Sequence, residues 1–529
     1  MSPYGKTQWQ QGQQRHTMEQ QAVTCIFSSL WHSVAIASTL TVYSLAKQCS
    51  NIIRMQTWQE TICQILSAML VEESGEESLV YCVKADSTKA DASIHLPAGP
   101  RGSLLPTLQL IRNPRAAFEG WVRQYGDPFL VRAMNGPVVV TGREDLIRVI
   151  HGQNPSIYSP FASSTIVPLM GSGSMLILEG EQHRRERRLM MPMFHGDRMK
   201  AYGESMQQIV IERLEAYRGQ REILTLKLMT DISLEIIVRT IFGGSDPNLV
   251  SQLIQASRKV VASSSPLLFF SRKTHFSFFG LTPWDRWCEA KHNLHRCLDQ
   301  VIDKRTQRGD PGDDILSMLC SATYEDGQPI TREHIYSELM TFLFAGHETT
   351  ALTLTWAMYH LHRNPAPCSS LLQELDSFED NSPARLASAP YLKATVQETL
   401  RIHPIVTETL RKLNAPLQLG EYHLPVGMAV APATILAHYN PATYYEPESF
   451  RPERFIERSY SPFEYMPFGG GHRRCIGAAF ASYEMAIVLG SLLKRFKFEL
   501  VETAPVVPKR RNVTMGPSTA VPLRFLGPR

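Results

Sequence analysis

The sequence lacks the cysteine patterns of a disulfide-stabilised or zinc-binding protein. Its 529 residues contain nine cysteines, an odd number, and no two of them form a CxxC pair. Disulfide frameworks usually show an even count, and a structural zinc site needs a second cysteine or a histidine at short spacing. We therefore expect a reducing, cytoplasmic location in which most cysteines act as small apolar residues.

A large net charge of either sign is also missing. The 54 Lys and Arg residues against 50 Asp and Glu residues leave a net charge of +4, which is too small to indicate a nucleic-acid partner. The sequence has no internal repeat and no glycine-rich dinucleotide fingerprint or flavin domain. These absences exclude a repeat protein and a fused reductase.

The first 95 residues differ from the rest. They are rich in Gln, Ser and Thr, and no residue between Glu19 and Lys47 carries a formal charge. That stretch is long enough to cross a bilayer, but its Ser, Thr and His residues make its hydropathy marginal. We expect residues 1–95 to be an extension that is disordered or a weak membrane anchor, which leaves peripheral membrane contact open.

From Leu96 to the C-terminus the pattern changes to amphipathic helices separated by Pro and Gly. Strand candidates are few and short, such as the segment from Pro137 to Gly142. No linker-like tract interrupts the helical segments. The sequence therefore predicts a mainly α protein with small β-sheets, and one large domain at residues 96–529.

The segment FGGGHRRCIG, from Phe468 to Gly477, presents a single thiol, that of Cys475. The apolar spacing that follows predicts a helix, so Cys475 lies near a helix N-terminus, where the dipole and Arg473 favour a thiolate. Gly469 to Gly471 allow backbone conformations that are closed to other residues. On these residues alone, Cys475 is a metal ligand, a nucleophile or a buried cysteine that ends a loop.

A long helix is predicted from the N-cap Thr331 to the stop at Asn364-Pro365. In its middle, FAGHETT, the small residues Ala345 and Gly346 leave one face of the helix without large side chains. The polar Glu348 and Thr349 follow directly. Glycine and threonine together also favour a local kink. The alternative is a helix whose polar residues face solvent.

Two further patterns have simple alternative explanations. Glu398 and Arg401 lie three residues apart on a predicted helix and could be a surface ion pair. The segment EGEQHRRERRLMMPMFH, which begins at Glu179, could be a solvated basic helix face.

Together these motifs resemble the cytochrome P450 family. FxxGxRxCxG matches the family's heme-binding loop, AGHETT matches its oxygen-activating motif, and ExxR is its most persistent motif. The resemblance implies heme b with a cysteine thiolate as axial iron ligand. Carried over to this sequence, it assigns Cys475 as that ligand, with Phe468 in the same heme-binding loop.

The resemblance also assigns the remaining site residues. Thr349 hydrogen-bonds dioxygen or a water beside it, and Glu348 relays protons from solvent. A buried network of Glu398, Arg401 and Arg454 has a structural role. The expected partners of the heme propionates are His183, Arg187, Arg473 and Arg411. The other cations of this region are expected near the proximal face, where they would steer an acidic electron donor: Arg184, Arg185, Arg188 and Arg474.

The implied activity is insertion of one atom of O2 into a hydrophobic organic substrate, with electrons from a separate donor of ferredoxin or flavodoxin type. The aromatic segment from Ser263 to Gly280 is expected to form a lid over the substrate pocket. The lid and the basic helix are similar to a bacterial, especially cyanobacterial, branch associated with fatty acids and terpenes. The alternatives are a peroxide-dependent heme-thiolate enzyme and a heme-binding sensor or electron carrier.

Overall fold

The computed structural model describes residues 95–133, 136–194, 196–217, 220–243, 246–265, 268–269, 272–308 and 314–529. The expectations for residues 1–94 lie outside the described residues. Seventeen α-helices are described, and they are numbered in chain order: α1 Leu104–Arg112, α2 Pro114–Tyr125, α3 Glu144–Gly152, α4 Ser163–Met170, α5 Gly180–Met190, α6 Asp197–Glu215, α7 Thr225–Phe242, α8 Pro247–Ser263, α9 Pro283–Arg308, α10 Ile315–Ser321, α11 Arg332–Arg363, α12 Pro365–Asp376, α13 Pro383–Ser388, α14 Pro390–Ile402, α15 Thr434–His438, α16 Arg454–Glu457 and α17 Ala478–Arg495.

Proline and capping side chains set many helix starts. Proline occupies the first position of α2, α8, α12, α13 and α14, where its missing N–H costs nothing. The Thr331 hydroxyl accepts a hydrogen bond from the backbone N–H of His334 and caps α11. The predicted helix from Thr331 to Asn364-Pro365 is therefore confirmed at both ends.

The described strands form four small sheets. The strands are β1 Phe129–Ala133, β2 Gly136–Thr141, β3 Tyr158–Pro160, β4 Glu222–Leu224, β5 Arg411–Leu413, β6 Leu417–Leu419, β7 Tyr422–Leu424, β8 Ala429–Pro432, β9 Phe496–Leu500, β10 Pro508–Arg511, β11 Thr514–Pro517 and β12 Pro522–Pro528. The largest sheet has five strands in the order β1-β2-β8-β5-β3, in which only the β2–β8 pair is parallel. A three-stranded sheet has the order β4-β12-β9, and β6–β7 and β10–β11 are antiparallel pairs.

The main core surrounds α11. This helix packs against α7, α14 and α17, and most of its side chains after Thr350 are buried. A helix buried on nearly every side needs apolar residues around its whole circumference. Its second half supplies them, so α11 is a central support for the residues near its middle.

The described architecture confirms a mainly α fold with small β-sheets in a single domain. The expected strand near Pro137 is β2. Among the described residues, no helix has both the length and the apolar character needed to cross a membrane.

Candidate functional site

The loop before Cys475 needs glycine at three successive positions. Gly469 and Gly471 have φ angles of 66° and 63°, in the left-handed region that favours glycine. Gly470 is extended, but a Cβ there would collide with the imidazole of His151. The backbone N–H of Cys475 donates to the Phe468 carbonyl at 2.9 Å and closes the loop. The predicted conformations are confirmed for Gly469 and Gly471, whereas Gly470 is needed for lack of space.

Cys475 precedes α17 and faces a pocket of 230 Å³ that is also lined by Arg187, Phe468 and Arg474. The residue is exposed to this pocket, yet enough protein surrounds its sulfur that burial raises the pKa of the thiol. The Gly477 N–H and the two arginines lower that pKa but do not overcome burial. Burial alone therefore favours the thiol, and iron bound at the sulfur would favour the thiolate that the sequence predicts.

Arg411 on β5 reaches into the same loop. Its Nη2 donates to the Gly470 carbonyl at 2.6 Å, while its Nε and Nη1 have no hydrogen-bond partner among the described residues. The side chain is buried, and burial lowers the pKa of its guanidinium. A buried cation with two free donors requires an anion.

Three imidazoles lie around the loop. Burial lowers the pKa of His183 to about 3, and burial lowers those of His151 and His472 to about 4, with neighbouring arginines adding to each shift. The rings of His183 and His472 are 6.0 Å apart. The sequence predicts His183 and also His472, but as a cation beside Cys475, which the lowered pKa contradicts. His151 was missed, because its place on α3 gives no signal.

Arg187 and Arg473 are two further cationic residues near the loop before Cys475. The Nη1 of Arg473 donates to the Met175 carbonyl at 3.0 Å, its Nη2 donates to the Leu178 carbonyl, and burial lowers the pKa of its guanidinium to about 10. Among the described residues, neither Arg187, Arg411 nor Arg473 forms an ion pair with a carboxylate. The unpaired donors of Arg411 and the crowded cations fit two carboxylates such as the propionates of heme.

The centre of α11 contains the predicted small and polar residues. Ala345 is exposed although the neighbouring turns of α11 are largely buried, and Gly346 beside it is half-buried. The Thr349 Oγ1 donates to the Ala345 carbonyl at 2.7 Å, and the Thr350 Oγ1 donates to the Gly346 carbonyl at 3.0 Å. The helix continues unbroken from Arg332 to Arg363, so these hydroxyls bond the carbonyls without ending the helical ladder.

Glu348 lies beside the hairpin of β10 and β11. Burial raises the pKa of its carboxyl, while the charge of Arg511 and the neighbouring Thr514 side chain, whose Oγ1 donates to the Arg511 carbonyl at 2.7 Å, lower it. These two partners come from a part of the sequence more than a hundred residues away, and sequence reasoning missed them. The carboxyl thus lies between the buried helix α11 and the polar hairpin of β10 and β11.

The predicted network of Glu398, Arg401 and Arg454 is present and deeply buried, with side-chain exposures of 0%, 0% and 3%. The Arg401 Nε donates to Glu398 at 2.7 Å, and the Arg454 Nε donates to the same carboxylate at 3.1 Å. Arg401 also donates to the His438 carbonyl. Interpretation of Glu398 and Arg401 as a surface pair is therefore excluded.

The basic face of α5 is largely neutralised by acidic side chains. Arg184 pairs with Glu181, and two further arginines pair with carboxylates from the turn after α10, namely Arg185 with Asp326 and Arg188 with Glu325. These three ion pairs lie at the surface, and the expectation that their arginines lie near the proximal face and steer an electron donor stays a prediction. Arg474 lies in the Cys475 pocket as expected.

The lid segment between α8 and α9 contacts the centre of α11. The ring of Phe269 lies 6.3 Å from that of Phe344, and Trp287 on α9 lies 5.2 Å from Phe344. The Met515 N–H donates to the Ile405 carbonyl at 2.8 Å, which joins two further segments. Apolar residues from distant segments therefore meet near the polar residues of α11.

α11 also packs against α17, the helix that follows Cys475. Phe194 bridges the two, since its ring lies 5.1 Å from Phe342 of α11 and 6.2 Å from Phe480 of α17. The contact between α11 and α17 thus connects the residues around the cysteine loop with Glu348 and Thr349 of α11.

Comparison with known proteins gives a consistent result. The family model described as Cytochrome P450 matches residues 97–523. Cytochrome P450 135B1 of Mycobacterium tuberculosis is 32% identical over 449 residues, which cover 82% of this chain and 92% of that protein. Cytochrome P450 138 of the same species is 32% identical over 437 residues, which cover 80% of this chain and 95% of that protein.

A solved structure described as retinoic acid bound cyanobacterial CYP120A1 has the same fold. The TM-score is 0.73 at 24% identity, and the alignment covers 82% of this chain and all of that one. The buried, unpaired cations at the cysteine loop fit the heme that the family carries through an axial cysteine thiolate. The chain therefore belongs to the cytochrome P450 family of heme b monooxygenases.

Proposed function

We propose that this enzyme inserts one atom of O2 into an apolar substrate of the fatty acid or terpenoid class, with Cys475 as its axial ligand and a separate protein as electron donor. When bound, heme supplies the oxygen chemistry. The geometry that carries the proposal is the closed loop from Phe468 to Cys475, with buried cations around it.

Arg411, His183, Arg187 and Arg473 would hold the propionates. Arg411 has two free donors and is buried, so it gains most from an anion. Arg473 uses donors on the Met175 and Leu178 carbonyls, and it therefore also fixes the loop before α5. His183 is neutral near pH 7 because its pKa is lowered to about 3, so it would serve as a hydrogen-bond donor.

Glu348 and Thr349 would deliver protons. The raised pKa of Glu348 favours a carboxyl group that can hold a proton, and Arg511 and Thr514 orient it. The Thr349 hydroxyl is half-buried and donates to a carbonyl of its own helix, so a rotation would free it to bond a guest beside Ala345. This acid and alcohol favour an O2-dependent reaction over a peroxide-dependent one.

The electron donor would be an acidic protein of ferredoxin or flavodoxin type that approaches the Cys475 pocket. Arg474 is exposed there and makes no ion pair among the described residues, whereas three arginines of α5 are already paired. Attraction between opposite charges accelerates such encounters and weakens with salt. We therefore expect binding of the electron donor to depend on few cations, Arg474 among them.

The substrate class follows from the apolar surroundings of α11. Phe269 of the lid packs on Phe344, one residue before the face without large side chains at Ala345. Ile405 is buried beside Met515, which brings two further apolar side chains to this region. An apolar pocket with few polar groups suits a hydrophobic guest.

The axial ligand can be tested by reducing the purified protein with dithionite and adding carbon monoxide. Wild type should show the strongly red-shifted Soret band of a thiolate-ligated heme, and Cys475→Ser should lose it. Cys320→Ser is the matched control, because that cysteine is exposed on α10. A red-shifted band that persists in Cys475→Ser would contradict the assignment.

The substrate class can be tested by titrating the holoenzyme with fatty acids and terpenoids while following the heme spin state. Retinoic acid belongs in this panel because it is bound in the structural neighbour. Compounds that shift the spectrum are then incubated with a surrogate donor, and their products are analysed. If only small polar metabolites shift the spectrum, the substrate class is wrong while the Cys475 assignment is unaffected.

A further inference from the structure

A second cluster of ligand-type side chains lies away from the cysteine loop. Glu186 comes from α5, and His334 and Glu338 come from the first turns of α11. One potential ligand atom from each residue lies within 4.8 Å of the others. Glu338 and Thr349 are eleven positions apart on the helix, which is about 16.5 Å at 1.5 Å per residue. The cluster is therefore distinct from the proposed oxygen site.

Each of the three residues has a buried ligand atom without a hydrogen-bond partner. These atoms are the Glu186 Oε2, the His334 Nε2 and the Glu338 Oε2. The side chains of Glu186 and Glu338 are 3% and 0% exposed. Their other oxygens are satisfied, since Tyr324 Oη donates to Glu186 and the Met175 N–H donates to Glu338 at 2.9 Å.

Neither carboxylate has a cationic partner of the usual kind. Among the described residues, no Lys or Arg forms an ion pair with Glu186 or Glu338, and the one contact of this type is the imidazole of His334, 3.4 Å from Glu186. Two buried carboxylates without a counterion are strongly disfavoured. The cluster requires either a cation or a proton.

The loop between α4 and α5 packs closely against the cluster. A Cβ at Gly173 would lie 2.8 Å from the His334 ring, so glycine leaves room for the imidazole. One residue later, the Ser174 and Thr341 hydroxyls share a hydrogen bond of 2.6 Å. The loop between α4 and α5 is thus fixed against α11 beside the three unpaired atoms.

We propose that Glu186, His334 and Glu338 bind one divalent cation of the zinc class, which joins α5 to α11. An imidazole nitrogen and two carboxylate oxygens are ligands that Zn²⁺ accepts, and its double charge balances the two carboxylates. Ligand atoms about 2.0–2.2 Å from a tetrahedral ion lie about 3.4 Å apart. The His334 Nε2 lies 3.4 Å from the Glu186 Oε1, the oxygen that also accepts from Tyr324, and water would complete the coordination.

A shared proton is the competing arrangement. Burial and the neighbouring Glu186 raise the pKa of Glu338 to about 8, so without a cation Glu338 would be protonated at neutral pH. A protonated Glu338 could donate to the free oxygen of Glu186. That arrangement predicts no bound metal.

The test uses the full-length heme-loaded protein after dialysis against a chelator. Zinc chloride is titrated in competition with a chromophoric chelator, and bound zinc is counted by mass spectrometry. We expect one equivalent of zinc per chain, with affinity at least about tenfold lower in His334→Gln and in Glu338→Gln. His292→Ala is the matched control, because His292 is an exposed histidine on α9, and it should bind zinc like wild type.

X-ray absorption at the zinc edge supplies a readout that does not depend on variants. The expected spectrum contains one imidazole nitrogen with oxygen ligands and no sulfur. Absence of zinc binding by wild type would overturn the proposal in favour of the shared proton. Sulfur ligation, or unchanged affinity in both ligand variants, would also overturn it.

Discussion

In the proposed reaction the Thr349 hydroxyl would have two successive partners. Its Oγ1 donates to the Ala345 carbonyl at 2.7 Å, and this bond must be exchanged when the hydroxyl bonds a guest beside the helix. The exchange costs little because the carbonyl keeps its place in an unbroken helix. The proposed role therefore depends on a Thr349 hydroxyl that is held near the site and can still change its hydrogen-bond partner.

Replacing Thr349 by Ala should uncouple electron consumption from product formation. Loss of a positioned proton donor is expected to lower product per NADPH by about tenfold or more, while heme content and the reduced carbon monoxide spectrum stay normal. The measurement compares NADPH oxidised with product formed. Thr350→Ala is the control, since Thr350 is buried and bonds the Gly346 carbonyl; equal coupling in both variants would exclude the proposed role of Thr349.

Arg411→Gln should weaken heme retention. The substitution removes a buried cation with two free donors, and a charge-assisted hydrogen bond contributes about 1.5–3 kcal/mol. We expect heme transfer to apomyoglobin to be faster by about tenfold or more. Lys412→Gln, an exposed neighbour on β5, should lose heme at the wild-type rate; an equal rate in Arg411→Gln would show that the propionates bind elsewhere.

At the scale of elements, the network around Glu398 ties α14 to α16 and to the loops after α15. Both arginines are buried, so the network stabilises the fold by keeping their charges paired with the Glu398 carboxylate. Each arginine also donates to the Ser449 carbonyl, which fixes irregular backbone that no helix or strand supports.

Glu398→Gln should therefore destabilise the fold by about 3–5 kcal/mol, because two buried guanidinium groups lose their carboxylate. Urea unfolding followed by circular dichroism measures the change. Glu448→Gln breaks the ion pair of Arg115 with an exposed glutamate and should cost less than about 1 kcal/mol. Similar losses in the two variants would contradict the structural role assigned to Glu398.

Glu484 couples α17 to α7 in a pH-dependent way. It accepts a hydrogen bond from the Ser233 Oγ at 2.8 Å, and burial raises its pKa from 4.5 to about 8. The folded chain therefore keeps a proton that the unfolded chain releases above pH 4.5. The resulting stabilisation is complete below that pH and is lost as the pH rises through about 8.

In Glu484→Gln the loss of stability with rising pH should disappear. Relative to wild type, the free energy of unfolding of the variant should rise by a few kcal/mol between about pH 5 and about pH 8.5. Urea unfolding at both values provides the measurement. Glu289→Gln, at an exposed position on α9, should show a constant difference from wild type; the same constancy in Glu484→Gln would mean that Glu484 does not titrate with a raised pKa.

On the scale of the whole molecule, the catalytic domain occupies the part that the family model matches, residues 97–523. The described residues fall in one compact unit that begins at Ala92. Its main core includes side chains of α11 and α17, and Phe468 and Ile476 of the cysteine loop pack against that core.

A chain that starts at Ala92 should retain the heme spectrum and the urea midpoint of the full-length protein. The same pair of proteins tests the predicted anchor in residues 1–95. If the anchor exists, the full-length chain sediments with lipid vesicles and the shortened chain does not. Loss of heme from the shortened chain would contradict the predicted domain boundary.

The sequence by itself determined the features that depend on neighbouring residues. The bounds of α11 follow from Thr331 and Pro365, the glycines before Cys475 follow from loop geometry, and the acid and alcohol at Glu348 and Thr349 are adjacent in the chain. These signals are local, and the family motifs preserve their spacing.

Only the tertiary structure decided which distant side chains meet. It placed His151 beside Gly470, set Arg511 and Thr514 against Glu348, and paired Arg185 and Arg188 with acids after α10. It also left Cys475 with a raised pKa, because burial depends on all the surrounding elements rather than on the helix that follows. Charge and burial at a site are sums over the whole fold, and no local pattern contains them.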